Sequence, residues 1–173
     1  PKIGDKKKLI ELSLRNAKYM QFEKKKQNLM AKEKKEKTSS LFRLKEDLKL
    51  KLIPSHIECF DNSNLQGTNP VAACVVFKNG KPSKKEYRLF NIKTVVGPDD
   101  YKSMEEVVFR RYKRLINEKK PLPQLIVIDG GKGQLSSAVK SLKQLNIDGQ
   151  IAIIGIAKRL EEIYFPNDST PLY

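Results

Sequence analysis

Hydrophobic and polar positions change period several times along this chain, and each change predicts an element. Over residues 5–37, Ile10, Leu14 and Ala17 recur at helical spacing, with Leu9, Leu12, Met20 and Phe22 beside them, which predicts one long helix. From Glu23 to Lys37 the chain is nearly all charged, with Leu29, Met30 and Ala31 the only apolar break, so this part of the helix reads as solvated. Thr38-Ser39-Ser40 breaks the pattern and can cap a second helix, striped by Leu41, Leu44 and Leu48 and ended by Pro54. A domain boundary is expected near residue 50.

Beyond it the period shortens. Ile57 to Asp61 (IECFD) reads as a short strand and Val71 to Lys78 (VAACVVFK) as an apolar, β-branched one. Asn79-Gly80 is a strong hairpin signal, and Glu86 to Lys93 (EYRLFNIK) alternates as a half-buried strand does. A three-strand antiparallel meander is expected there. Asp99 and Asp100 then favour a helix start, and Ser103 and Glu106 have capping-box spacing. Tyr101, Met104, Val108 and Leu115 form its expected buried face, with Arg110, Arg111, Lys113 and Arg114 clustered in its middle. Leu125 to Ile128 (LIVI) is continuous enough to be buried on both faces. A glycine-rich turn, a helix carrying Leu135, Ala138, Val139, Leu142 and Leu145, and a strand at Ile151 to Ala157 (IAIIGIA) follow. The order β-β-β-α-β-α-β predicts an α/β domain with a mixed sheet, behind a basic helical segment.

Charge narrows the class of partner. The chain carries a formal +15, from 35 Lys and Arg against 20 Asp and Glu. Residues 1–50 hold 16 basic and 7 acidic side chains, residues 51–173 hold 19 and 13. Such a balance favours a polyanion, nucleic acid before acidic membrane, although lysine also serves plain solubility. The two cysteines, Cys59 and Cys74, lie in apolar runs without zinc spacing or a disulfide framework, which fits a reducing cytoplasm. No apolar run is long enough to span a membrane, and no signal peptide is evident. Pro1 and Leu172-Tyr173 read as the ends of an excised fragment.

The candidate chemistry sits at strand ends. Asp61 closes the first strand and Asp129 closes LIVI. If those strands are neighbours, two carboxylates meet at one point, where a divalent cation relieves their repulsion; hard oxygen donors suit Mg²⁺ or Mn²⁺ and phosphodiester chemistry. Asp61-Asn62-Ser63-Asn64 can equally be an ordinary Asx turn. Gly130-Gly131-Lys132-Gly133 lacks the spacing of a P-loop or of a dinucleotide fingerprint, so it is either a tight structural turn or, through Lys132 or its amides, a phosphate contact. Lys158 and Arg159 end the last strand, where Lys158 is a candidate phosphate contact or a solvated cation. Arg110 and Arg111 are candidate backbone clamps or a solvated helix face. His56, the only histidine, is expected at the surface and not as a general base.

Several stretches together resemble the C-terminal half of the UvrC family, the nuclease subunit of bacterial nucleotide excision repair. They are Ile57 to Gly67 (IECFDNSNLQG), Asp99 to Tyr112 (DDYKSMEEVVFRRY), Leu125 to Leu135 (LIVIDGGKGQL) and Gly155 to Lys158 (GIAK). Pro1 to Leu9 (PKIGDKKKL) and Asn16-Ala17 resemble the segment after that family's UvrB-binding motif, with Ile3 where the family commonly has Arg. The resemblance implies a ribonuclease H-like endonuclease domain over residues 51–173, preceded by a linker over 1–50. It implies incision 5′ to a lesion in double-stranded DNA, and Asp61 and Asp129 as catalytic, metal-binding aspartates. It also implies that a catalytic histidine and a helix-hairpin-helix DNA-binding tail come after residue 173, so this fragment should cleave weakly or not at all. Rival readings are a non-catalytic nucleic-acid module of the same shape, a nucleotide-binding domain using the glycine turn, and a docking scaffold using residues 1–50.

Overall fold

A computed structural model describes residues 4–63, 71–95, 99–157, 162–168 and 170–172. The chain divides into two units, residues 1–40 and 41–173. A single helix, α1 (Asp5–Asp47), takes in all described residues of the first unit except Gly4 and the opening of the second. Thr38-Ser39-Ser40 therefore does not interrupt it. Serine and threonine cost a helix interior only a few tenths of a kcal/mol each, and no Gly or Pro joins them. Within the first unit Leu9, Ile10, Leu14, Tyr19, Met20, Phe22 and Leu29 are all exposed. Among the described residues no helix is long and apolar enough to cross a membrane.

In the second unit the strands are β1 (His56–Ser63), β2 (Val71–Lys78), β3 (Lys81–Pro82), β4 (Arg88–Asn91), β5 (Leu125–Asp129), β6 (Ala152–Ala157) and β7 (Glu162–Tyr164). They form one sheet in the order β3-β2-β1-β5-β6-β7, with β4 also on β2. The expected third strand, Glu86 to Lys93, is thus shortened to β4, and a separate two-residue strand precedes it. After Asn79-Gly80, β3 pairs with the end of β2, a 3₁₀ turn (Lys84–Glu86) intervenes, and β4 pairs with the start of β2. Ser83 and Lys78 both donate to Glu86, which fixes that turn. β1, β5 and β6 are parallel and the outer pairings antiparallel, so the sheet is mixed.

Helices α2 (Asp100–Asn117) and α3 (Lys132–Gln144) share one core with Phe60, Val76, Ile126 and Ile128 of the sheet. Met104, Val107, Val108, Arg111, Tyr112 and Leu115 give α2 its buried stripe at i+3 and i+4 intervals. Its cap is Asp99, whose side chain accepts from the Lys102 amide at 3.0 Å. The expected Ser103–Glu106 capping box is not used. Ser103 is buried inside the helix, and Glu106 instead accepts from the Lys93 and Thr94 amides and pins the incoming loop. A second, smaller cluster gathers Leu48, Leu125 and Ile154, with Leu44, Leu50, Ile57, Val127 and Ile156 packed against it.

All three helices stop the same way. Leu50 N–H donates to Lys45 O, Lys120 N–H to Leu115 O and Ile147 N–H to Leu142 O, each with the inner bond of a Schellman motif. The left-handed positions are Lys49, Lys119 and Asn146, none of them glycine. α1 therefore ends well before Pro54.

Candidate active site

β1 and β5 lie side by side and parallel, with Phe60 level with Ile128. The next residue on each is an aspartate. Asp61 stands at the antiparallel register of Ala73 on one side, and Asp129 level with Ile156 on the other. By strand alternation Asp61 shares the face of Ile57 and Cys59, and Asp129 that of Leu125 and Val127. Both carboxylates thus leave the same face, the one carrying the smaller cluster, and both are half-buried.

The turn after Asp129 is built on close approach. Gly130 N–H donates to Ile156 O at 2.9 Å, and its own carbonyl lies over Gly155. A Cβ on Gly155 would sit 2.8 Å from Gly130 O, so only glycine fits there. α3 then starts at Lys132, which is exposed, with Nζ 5.2 Å from the centre of the Tyr164 ring. Lys132 thus follows Asp129 by three residues, with its ammonium over an aromatic of the unforeseen strand β7.

The other predicted cations fare differently. Arg111 is no backbone clamp. It is 7% exposed, and its Nε and Nη2 bind the two oxygens of Glu58 at 3.1 and 2.6 Å. Its place on the inner face of α2 took it into the core. Arg110 is partly exposed but committed within the domain: Nη1 binds Glu106 at 2.7 Å and the Asn91 carbonyl at 2.8 Å, and the guanidinium lies over the Phe90 ring. Lys158 and Arg159 fall outside the described residues, as do Asn64 to Gly67.

Sequence reading missed the centre of this network, Glu58, which is fully buried three residues before Asp61. Tyr112 Oη donates to it at 3.1 Å, and His56 Nε2 lies 3.2 Å from it. His56 is therefore not a surface residue; it lines the same buried charge. Burial alone would raise the Glu58 carboxyl, but His56 and Arg111 outweigh burial and hold it at about 2. Burial and the Glu58 charge push the Tyr112 phenol well above its ordinary range. The available signal was a glutamate at the same strand parity as Phe60, facing a helix with Arg and Tyr in succession.

A cleft of about 810 Å³ opens elsewhere, at the beginnings of β5 and β6, lined by Leu48, Leu122, Leu142, Ile153 and Phe165 among others. The aspartates lie at the strands' other ends, so this cavity takes no part in their chemistry. Two carboxylates on adjacent strand ends suit Mg²⁺ or Mn²⁺, which commonly take one or two protein carboxylates and fill the rest with water and substrate phosphate. Among the described residues no group of three or more His, Cys, Asp and Glu is arranged to hold a metal ion.

The sheet order, α2 and α3 on one face and the aspartates at adjacent strand ends define a ribonuclease H-like α/β domain. The model of the UvrC RNAse H endonuclease domain matches residues 45–173, and the chain belongs to that family. It is 67% identical over 173 residues to UvrABC system protein C of Christiangramia forsetii, and 63% identical over 173 residues to that of Flavobacterium psychrophilum. In both cases all of this chain and 29% of the relative are covered, so the chain spans under a third of those relatives' length. Among solved structures it is similar to human endonuclease V, at 16% identity and a TM-score of 0.44, over 60% of this chain and 45% of that one.

Proposed function

We propose that this chain is the domain that hydrolyses a DNA phosphodiester in excision repair, making the incision 5′ to a lesion, with Asp61 and Asp129 holding Mg²⁺ or Mn²⁺. The observation that carries the reading is the register of β1 on β5, which brings the two carboxylates level on one face. When bound, such a cation supplies activation of the attacking water and stabilisation of the leaving oxygen. The chain's own part is to hold two hard donors at fixed spacing and to keep cations beside them. Lys132 is proposed to touch a phosphate neighbouring the scissile one, as a point charge. Lys158 is proposed for the same task. Damaged double-stranded DNA is the proposed substrate, and UvrB the proposed partner, reached mainly through a segment before residue 1. Residues 1–50 are proposed as a basic linker. Because the resemblance puts a further catalytic histidine and a DNA-binding tail after residue 173, the chain alone is expected to cleave poorly.

The test is Mn²⁺- or Mg²⁺-dependent nicking of lesion-bearing duplex by the full-length protein with its repair partners. Asp61→Asn and Asp129→Asn should each lower 5′ incision by at least about 100-fold while DNA binding and melting temperature hold. Incision at the native rate in both variants would make the aspartates structural, and the domain a non-catalytic nucleic-acid module.

A further inference from the structure

Tyr101 stands out because its period says buried and the structure leaves it out. It is 58% exposed, although it opens the apolar series continued by Met104 and Val108. Its ring is nonetheless placed. A Cβ on Gly133 would lie 2.3 Å from Cε1 and 2.7 Å from Cζ of Tyr101, so the hydroxyl end of the ring rests directly on the Gly133 backbone. Gly133 belongs to the first turn of α3, four residues after Asp129. On the other side, Asn62 Nδ2 donates to the carbonyl of Asp100 at 2.9 Å, and Asn62 directly follows Asp61. Tyr101 is thus bracketed by the residues that follow each of the two aspartates.

Holding α2 to α3 does not need this ring. Ser141 Oγ donates to the Glu105 carbonyl at 2.7 Å, and Lys140 and Gln144 bind the Glu105 carboxylate at 3.0 and 3.1 Å. What the ring offers is an exposed π surface at the end of the sheet where the two aspartates stand, with a lysine next in sequence both to Tyr101 and to the Gly133 it rests on. Lys132 follows the glycine turn, and Lys102 has a side chain 73% exposed, its Nζ 3.3 Å from Asp99. A flat apolar face set among cations recognises one kind of ligand well: a polyanion with planar faces, an unpaired nucleobase on its phosphate backbone.

We propose that Tyr101 is a positioning residue that stacks an unpaired nucleobase next to the scissile phosphodiester and so registers the strand over Asp61 and Asp129. The inference rests on the nuclease reading above and adds what sets the place of the cut. It is tested with the full-length protein in EDTA, on lesion-bearing DNA carrying 2-aminopurine in turn at each position flanking the incised bond. The native protein should quench one position, and Tyr101→Phe should quench it equally. Tyr101→Leu keeps apolar bulk on Gly133 but removes the π face; it should lose the quench and weaken binding of a short single-stranded probe at least about fivefold, with melting temperature unchanged. Tyr101→Ala should behave likewise. Equal quenching by Tyr101→Leu, loss of quenching in Tyr101→Phe, or no quenched position in the native protein would each overturn the proposal. Failure of the nuclease reading shows separately, as native incision by Asp61→Asn.

Discussion

At the scale of single residues, the buried charge of Glu58 is the most consequential choice this sequence makes. A carboxylate with no exposure is tolerable because His56 stands 3.2 Å from it, Arg111 meets it with two bonds and Tyr112 with a third. Removing one partner strands the other in the core. Glu58→Gln is expected to destabilise the domain by about 3–5 kcal/mol at neutral pH, seen as a lower urea midpoint. The pH dependence has a definite sign. The folded-state carboxyl sits at about 2 against an ordinary 4.5, so its contribution is fully present above about pH 4.5 and lost as pH falls through 2. Glu86 and Glu106 are lowered as well, each by bonded neighbours, and add to the acid sensitivity. The difference between native protein and Glu58→Gln isolates the Glu58 share. That difference should shrink between pH 4.5 and 2; a constant difference would mean the carboxylate's charge does not stabilise the fold.

At the scale of elements, three helices close on Schellman turns whose left-handed residue carries a Cβ. Asn146 tolerates this conformation, but Lys49 and Lys119 hold it against a steric cost of roughly 1–2 kcal/mol, of which glycine's greater freedom in the unfolded chain cancels part. Lys119→Gly should therefore raise stability by about 0.5–1 kcal/mol, measured by thermal denaturation, with no change in incision. Such stops were poorly legible in the sequence because no glycine or proline marks them. The alternation in EYRLFNIK was legible, but its late start as β4 was not, since the 3₁₀ turn before it depends on Lys78 and Ser83 reaching Glu86. LIVI followed by Asp129, and Phe60 followed by Asp61, were readable as strand ends because apolar runs stop abruptly there. Arg111, Tyr101 and His56 were misread for one common reason. A helical or strand period tells which side a residue faces, not whether a charge on that side has a buried partner or an aromatic finds a glycine to lie on.

At the scale of the whole molecule, charge is shared between two units of different kind. Residues 1–40 carry 13 basic and 5 acidic side chains, and residues 41–173 carry 22 and 15. If the first unit follows the DNA backbone, deleting it should flatten the dependence of log affinity on log salt by at least about 3, while the second unit keeps its circular dichroism. An unchanged slope would make α1 a spacer only. The pairing of Glu58 with Arg111 reaches further than stability. A sheet whose strands slip by one residue turns every side chain to the opposite face. Here a slipped β1 would send Asp61 away from Asp129 and, by the same movement, pull Glu58 from Arg111 and leave a guanidinium alone in the core. Molecules with a misaligned aspartate pair would thus be the least stable ones. The fold proofreads the site proposed for it, because the error that would separate the two aspartates is also the error that it cannot survive.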